Sequence, residues 1–482
     1  MRGSFWVRLG IVLGVPLLFF LAATERTLLA YPLVMAMILL ILSFAFYCFG
    51  IFSHNTNLRR TIINLALTCF FCYALFGWAM AGNHAEMAFV PDRITKIEGV
   101  LVEDSMLTSG GKQLLRIRIE SCGTFDGAIG SAKGILPVLV KIDEFLVSGV
   151  RVTLDGELAP EGGLFLADTI QVLAISKIQI FRRKILSLIE RRFTLLIDDE
   201  ESRSLALMLL LGRTDDAAFP LKELSLGSGC AHLLALSGMH LQFFIALLSF
   251  VLVPLLGKRR GRVSSVFLAL LYVLLVGPKP SLVRAMGMAF ISLFLKGRMA
   301  SYYSYLATAC LQIVLFPSAL SSMGSLFSYA AYGGLLCNTL FSFYRPKWME
   351  PFFASVYAIL FTAIPTLSVW GTWQIGALCI APLASLLMFT LMGCSLFVFL
   401  FGHSFAFLVE FLHHVLNSVF TFGKNLFGGG LGAGGFVLYL LVVLTLLASI
   451  GYAERALQKK RRDSYELEIC VRFTKGHNEL AR

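Results

Sequence analysis

Apolar residues run through this chain in long unbroken stretches, at about 9–23, 28–52, 61–82, 228–256, 263–277, 282–296, 301–316, 324–343, 352–370, 374–400, 404–421 and 434–452. A helix of roughly 20 apolar residues crosses a bilayer with its backbone hydrogen bonds satisfied internally. The pattern predicts a polytopic α-helical membrane protein with about 12 transmembrane or re-entrant helices. The first run follows Arg2 and Arg8, as a cleaved signal would. However, Thr24–Thr27 is a minimal loop holding Glu25 and Arg26, and Leu28 opens a second long run, so the pair reads as an uncleaved hairpin.

Between residues 83 and 180 the period changes. Short stretches at Ile94–Val102, Gln113–Ile119, Ile135–Ile142, Val150–Leu158 and Leu164–Leu173 are parted by turns such as Ser109-Gly110-Gly111 and Glu161-Gly162-Gly163. Five strands in so short a span predict an inserted small β-barrel, OB-like. Next, Phe181–Ile197 (FRRKILSLIERRFTLLI) sets Arg182, Arg183, Lys184, Arg191 and Arg192 against Ile185, Leu188, Ile189 and Leu195. A helix of this kind lies in the membrane interface or against the bundle, as an anchor on anionic headgroups or as a collar that attracts a polyanion. The chain thus divides into N-terminal membrane helices (1–82), an outer β domain (83–180), amphipathic interfacial helices (181–227), a main membrane domain (228–455) and a basic tail (456–482).

Composition agrees with the pattern: 57% of the residues are hydrophobic and 15% charged, against about 25% charged in soluble proteins. Cytoplasmic loops retain Lys and Arg, and the basic loops here are Arg59-Arg60, Lys258–Arg262, Lys296–Arg298, the pair Arg345 and Lys347, and Lys459–Arg462. Placing all five inside puts both termini in the cytoplasm and residues 83–180 outside a cell (inner) membrane. The outer segment carries nine Lys and Arg against 13 Asp and Glu, a net of −4, which leaves +16 elsewhere in a chain of net +12. A barrel binding single strands needs a basic groove and stacking aromatics. This one offers Phe89, Phe125, Phe145 and Phe165, with Lys112, Arg116, Arg118 and Lys133 as a local patch, so it either binds a strand there or merely shapes the outer mouth.

Of ten cysteines only Cys122 lies in the outer segment, so no disulfide forms within it. Cys69 and Cys72 have no second pair and sit in an apolar run, and His413-His414 beside Glu410 occurs once near a helix end; neither is read as a metal site. No GxxxxGK[ST] phosphate loop occurs, and no paired carboxylates or nucleophile motif are found. The chain is read as no enzyme, with no cofactor.

Two polar spots interrupt the apolar runs. At residues 228–242, SGCAHLLALSGMHLQ, a continuous helix would set His240 about 80° and Ser237 about 140° from His232, on one arc. Gly238 after Ser237 would break the helix there. Polar groups at this depth face a pathway or cross-brace helices. At Gly277–Ala285, GPKPSLVRA, the flanking runs are too short to span, which suits a re-entrant or broken pair around a transport site. Arg284 within it suits a passing phosphate or a structural ion pair.

AHLLALSGMH (Ala231–His240), PSLVRAMGM (Pro280–Met288) and FPSALSSMGSLFSYAA (Phe316–Ala331), in that order, resemble the competence membrane domain of the ComEC DNA-uptake channels. The resemblance covers about residues 28–455. It implies an inner-membrane channel that passes one strand of incoming DNA into the cytoplasm. His232, Ser237, Gly238 and His240 would belong to the first motif, Ser281 and Arg284 to the second, and Gly324, Ser328 and Tyr329 to the third, together the substrate pathway. The implied partners are single-stranded DNA, membrane lipids, a separate DNA receptor, nuclease and cytoplasmic helicase or motor, and a second copy of the chain. Many family members carry a metallo-β-lactamase-like domain after the membrane part. Here Ala453–Arg482 has no HxHxDH run, which fits a shorter branch of the family or a nuclease supplied by another protein. Ser385 stands where family members often have asparagine. A transporter or flippase of another anion, such as a lipid-linked glycan, and a degenerate structural homologue remain as alternative readings.

Overall fold

The computed structural model describes residues 11–12, 14–16 and 86–426, apart from 143, 160–162, 235, 296, 298, 317–321, 342–348 and 375. The runs 28–52, 61–82 and 434–452, most of the run 9–23, Arg59-Arg60, Lys296, Arg298, Arg345, Lys347, Lys459–Arg462, the Cys69–Cys72 spacing and the tail 456–482 lie outside the described residues.

Among the described residues eight strands form the β domain: β1 (Glu86–Met87), β2 (Ile94–Leu101), β3 (Met106–Leu107), β4 (Gln113–Thr124), β5 (Ile129–Lys133), β6 (Ile135–Val140), β7 (Arg151–Leu158) and β8 (Phe165–Ala174). β4 pairs with both β2 and β6, β2 with β7, and β7 with β8, all antiparallel; a parallel β6–β8 pair then closes a five-stranded barrel. Each of the five expected runs supplies one barrel strand. The reason is visible in β2, β4 and β6, where burial alternates residue by residue and drives one face inward. Ile97, Leu115, Ile117, Val138, Val152, Leu154 and Phe165 fill the interior. The register shifts at four places in the β2–β4 and β7–β8 pairs, and a glycine stands at two of them: a Cβ on Gly99 would collide with the Arg118 carbonyl, and one on Gly156 with that of Leu166.

Two of the barrel's cations, Arg116 and Arg151, are ion-paired, whereas Lys112, Arg118 and Lys133 of the expected patch enter no ion pair among the described residues. Arg151 pairs with Glu98 at 3.3 Å and also with Glu120, Arg116 reaches Glu103 at 3.8 Å, and Arg183 of the following helix meets Glu144 at 2.7 Å. Cys122 is a buried free thiol.

Among the described residues twelve α-helices follow: α1 (Lys177–Leu196), α2 (Glu200–Leu211), α3 (Phe219–Gly227), α4 (Ala231–Leu234), α5 (Gly238–Leu256), α6 (Lys258–Val276), α7 (Pro280–Ser292), α8 (Ala300–Leu315), α9 (Met323–Phe341), α10 (Glu350–Trp370), α11 (Ala377–Phe401) and α12 (Ala406–Leu426). α1 opens with a capping box, Ser176 accepting from the Gln179 amide while Gln179 accepts from that of Ser176. It buries Arg182, Leu186 and Phe193 and leaves Phe181, Leu188 and Leu195 exposed beside its basic residues. α2 is different: Leu205–Leu211 are all buried.

The described residues of the apolar runs from 228 to 421 lie mostly on helices, and the expected count of about 12 is not confirmed by them. Among the described residues three helices are long and apolar enough to cross a membrane, Gly238–Leu256, Ala377–Phe401 and His403–Asn425. The others are shortened or diluted. α6 begins KRRGR, α7 has 13 residues, and α8 begins ASYYS. α7 packs on α5, α6, α8 and α9 and is the hub of this part of the bundle.

Two polar joints hold the parts together. In the first, the Arg182 guanidinium of α1 pairs through both outer nitrogens with Asp104 of the barrel, Nη1 to Oδ1 at 2.8 Å, and its Nε donates to the Leu275 carbonyl at the end of α6 at 2.7 Å. In the second, the buried His413 ring of α12 lies 2.9 Å from Ser202 Oγ, 3.7 Å from Asp199 and 3.8 Å from Glu201, and stacks on His414. The carboxylates approach opposite ring nitrogens, so this group braces α2 against α12.

Candidate functional site

Ser237 is the N-cap of α5. Its backbone is extended (φ −122°, ψ 171°), and its Oγ accepts from the Met239 amide at 3.3 Å. The Ser237 amide donates to His240 Nδ1 at 3.1 Å, and Ser237 Oγ lies 2.9 Å from the same nitrogen. With Nδ1 accepting, the ring proton belongs on Nε2. That nitrogen is buried with no hydrogen-bond partner among the described residues.

The chain therefore breaks at Ser237-Gly238, between α4 and α5. The single arc expected for His232, Ser237 and His240 does not form, because the extended Ser237 separates two helix axes. His232 lies exposed on α4, whereas His240 is fully buried on α5.

The second interruption lies at Gly277–Lys279, between α6 and α7. Gly277 has φ +106°, and Pro280 occupies the first turn of α7, where its missing N–H costs nothing. Ser281 donates to the Leu236 carbonyl at 2.9 Å. Lys279 Nζ donates to the carbonyl of Gly212, the left-handed cap of α2, at 2.7 Å. Burial pushes the Lys279 ammonium down to about 8, with Asp104 and Glu103 acting in the opposite direction.

Arg284 sits in the middle of these elements and is 6% exposed. Its Nε donates to Ser328 Oγ on α9 at 2.7 Å, and Nη1 reaches Met288 Sδ at 3.5 Å. Its Cζ lies 5.0 Å from the Tyr332 ring centroid and 5.9 Å from that of Tyr329. On the α5 side a Cβ on residue 238 would stand 2.5 Å from Nη2, so the glycine makes room for the guanidinium. No carboxylate pairs with Arg284 among the described residues.

All three motifs thus meet at Arg284, through Gly238, Ser281 on its own helix, and Ser328 with Tyr329. Gly324 stands apart, exposed in the first turn of α9. Residues outside the motifs complete the site. Gln312 of α8 accepts from Tyr329 Oη at 2.9 Å, and Tyr305 Oη donates to the Tyr329 carbonyl at 2.7 Å. A lone amide in the apolar stretch ACLQIVL was the available signal for Gln312; Tyr305 and Tyr332 gave none beyond helical spacing. Among the described residues no group of three His, Cys, Asp or Glu could hold a metal ion.

A family model described as Competence protein matches residues 209–457, more than half of the chain. The chain belongs to the Competence protein family. The matched region of this competence protein starts near the end of α2 and takes in every residue of the Arg284 cluster. Neither the curated proteins nor the solved structures gave a match. Ser385 spends its hydroxyl inside α11, donating to the Ala381 carbonyl at 2.7 Å.

Proposed function

We propose that this competence protein acts in DNA uptake as the inner-membrane channel that passes single-stranded DNA into the cytoplasm. The observation that carries the reading is the buried Arg284 guanidinium, with segments of three motifs gathered on it and no facing carboxylate among the described residues. Burying a lone charge costs on the order of several kcal/mol. A passing phosphodiester offsets that cost for as long as it stays. Ser328 adds a neutral polar group at the guanidinium, His240 carries a buried ring nitrogen without a partner among the described residues two positions after Gly238, and because the charged contacts are few, the strand is attracted without being trapped.

In this reading the chain crosses the membrane many times, both termini are cytoplasmic, and residues 83–180 stand outside. The closed five-stranded ring supports an OB-type barrel. Its net charge of −4 and the burial of Phe165 inside the barrel favour shaping the outer mouth over gripping a strand. No chemical step is assigned to the chain itself, so a separate receptor, nuclease and motor would deliver the strand and draw it through.

Deletion is expected to abolish natural transformation while growth and envelope integrity stay normal. Arg284→Gln is expected to do the same with a near-normal amount of protein in the membrane. Unchanged transformation in the variant would overturn the assignment. An envelope defect with intact transformation would point instead to another anion, such as a lipid-linked glycan.

A further inference from the structure

Gln312 is 2% exposed on α8, and every polar group of its carboxamide is engaged. Nε2 donates to the Pro280 carbonyl at the start of α7 at 3.3 Å and to Ser325 Oγ on α9 at 3.4 Å, while Oε1 accepts from Tyr329 Oη at 2.9 Å. Tyr305 Oη holds the Tyr329 carbonyl as well, so α8 grips both ends of this residue. The consequence for Arg284 is chemical. With its hydroxyl turned to Gln312, Tyr329 offers the guanidinium the face of its ring, 5.9 Å from Cζ, and not a phenolic oxygen. A hydroxyl released from Gln312 would be a hydrogen-bond acceptor carried on a ring that already lies against a buried cation with no carboxylate partner among the described residues.

We propose that Gln312 is a positioning residue of the pathway, which keeps the Tyr329 hydroxyl away from Arg284 so that the guanidinium stays available to a phosphodiester. The inference rests on the DNA-channel reading. It differs from a structural brace in predicting that the damage done by losing Gln312 is undone by removing one oxygen from Tyr329.

The test uses the full chain in nanodiscs and a fluorescein-labelled single-stranded thymidine oligonucleotide, titrated over a salt series. One lost phosphate contact lowers the salt slope by about 0.7 for a single strand. Arg284→Gln is expected to give this fall, and Gln312→Leu to give the same fall. Tyr329→Phe added to Gln312→Leu restores the wild-type slope. Gln312→Asn, one methylene too short to reach the hydroxyl, repeats the measurement if the leucine variant does not accumulate. A wild-type slope in both Gln312 variants, or no recovery on adding Tyr329→Phe, overturns the inference. Absence of binding by the wild-type chain, or an unaltered slope in Arg284→Gln, overturns the DNA-channel reading beneath it.

Discussion

Ser281 and Leu236, 45 residues apart in sequence, are joined by a hydrogen bond from the serine hydroxyl to the leucine carbonyl at 2.9 Å. It ties the two interruptions of the helical bundle to each other. A carbonyl freed where α4 stops is satisfied by the first turn of α7, as backbone broken within a membrane domain requires. The position of Arg284 relative to Gly238 follows from this bond as much as from helix packing.

Gly238→Ala tests the closeness of that approach. The added methyl would stand 2.5 Å from Arg284 Nη2 and 3.0 Å from the Ala285 Cβ, so the guanidinium must shift. Transformation is expected to fall by about tenfold or more, the equivalent of roughly 1.4 kcal/mol, with little change in membrane abundance measured by immunoblot. A variant with full activity would mean that Arg284 does not need its present position.

The two ion pairs at the barrel base should differ sharply in weight. Asp104→Asn leaves Arg182 buried without its charge partner, a change on the order of 3–5 kcal/mol; both side chains of that pair are about 10% exposed. Glu144→Gln removes a pair whose members are 47% and 57% exposed, and is expected to cost no more than about 1 kcal/mol. Denaturant unfolding in detergent, followed by a fluorophore on the barrel, ranks the two. Equal losses would contradict the burial argument.

Lys279 gives a pH dependence of definite sign. Its proton leaves near pH 8 in the folded chain but near its ordinary value of 10.5 when unfolded. Between these values the unfolded chain binds more protons, and stability from this group rises with pH. The difference in thermal midpoint between the wild type and Lys279→Met should therefore move in favour of the wild type from pH 7.5 to about 9.5. A constant difference would show that the ammonium titrates normally.

The barrel fragment 83–180 is expected to bind single-stranded DNA weakly, because its net charge is −4, Arg116 and Arg151 are committed to Glu98, Glu103 and Glu120, and of its four phenylalanines Phe165 is buried inside the barrel, which leaves at most Phe89, Phe125 and Phe145 to stack. Anisotropy titration at several salt concentrations measures this. Tight binding at high salt would reassign the barrel as a strand-gripping element.

The barrel was legible from sequence because alternation and glycine turns are local signals, and Ile94–Val102 and Gln113–Ile119 carried both. The break at Ser237-Gly238 was legible for the same reason. The disposition of His232 was not: projecting residues on a helical wheel assumes one axis, and the extended Ser237 turns the chain onto another. Partners distant in sequence were beyond reach. Asp104 and Arg182 are 78 residues apart, and Gln312 finds Tyr329 only once α8 and α9 lie side by side. Arg284 could be singled out as costly at membrane depth, but that its neighbours would be tyrosine rings and a serine, with no acid among the described residues, is a product of packing.

The Asp104–Arg182 pair has a mechanical consequence. Because the same guanidinium also holds the Leu275 carbonyl, the barrel is clasped to the corner from which α7 departs, with Gly277 wedged against both members of the pair. The β domain is thereby tied to the start of α7 through one buried guanidinium. In the proposed channel a displacement of the barrel would be felt first at Pro280, and Arg284 would feel it through the same helix.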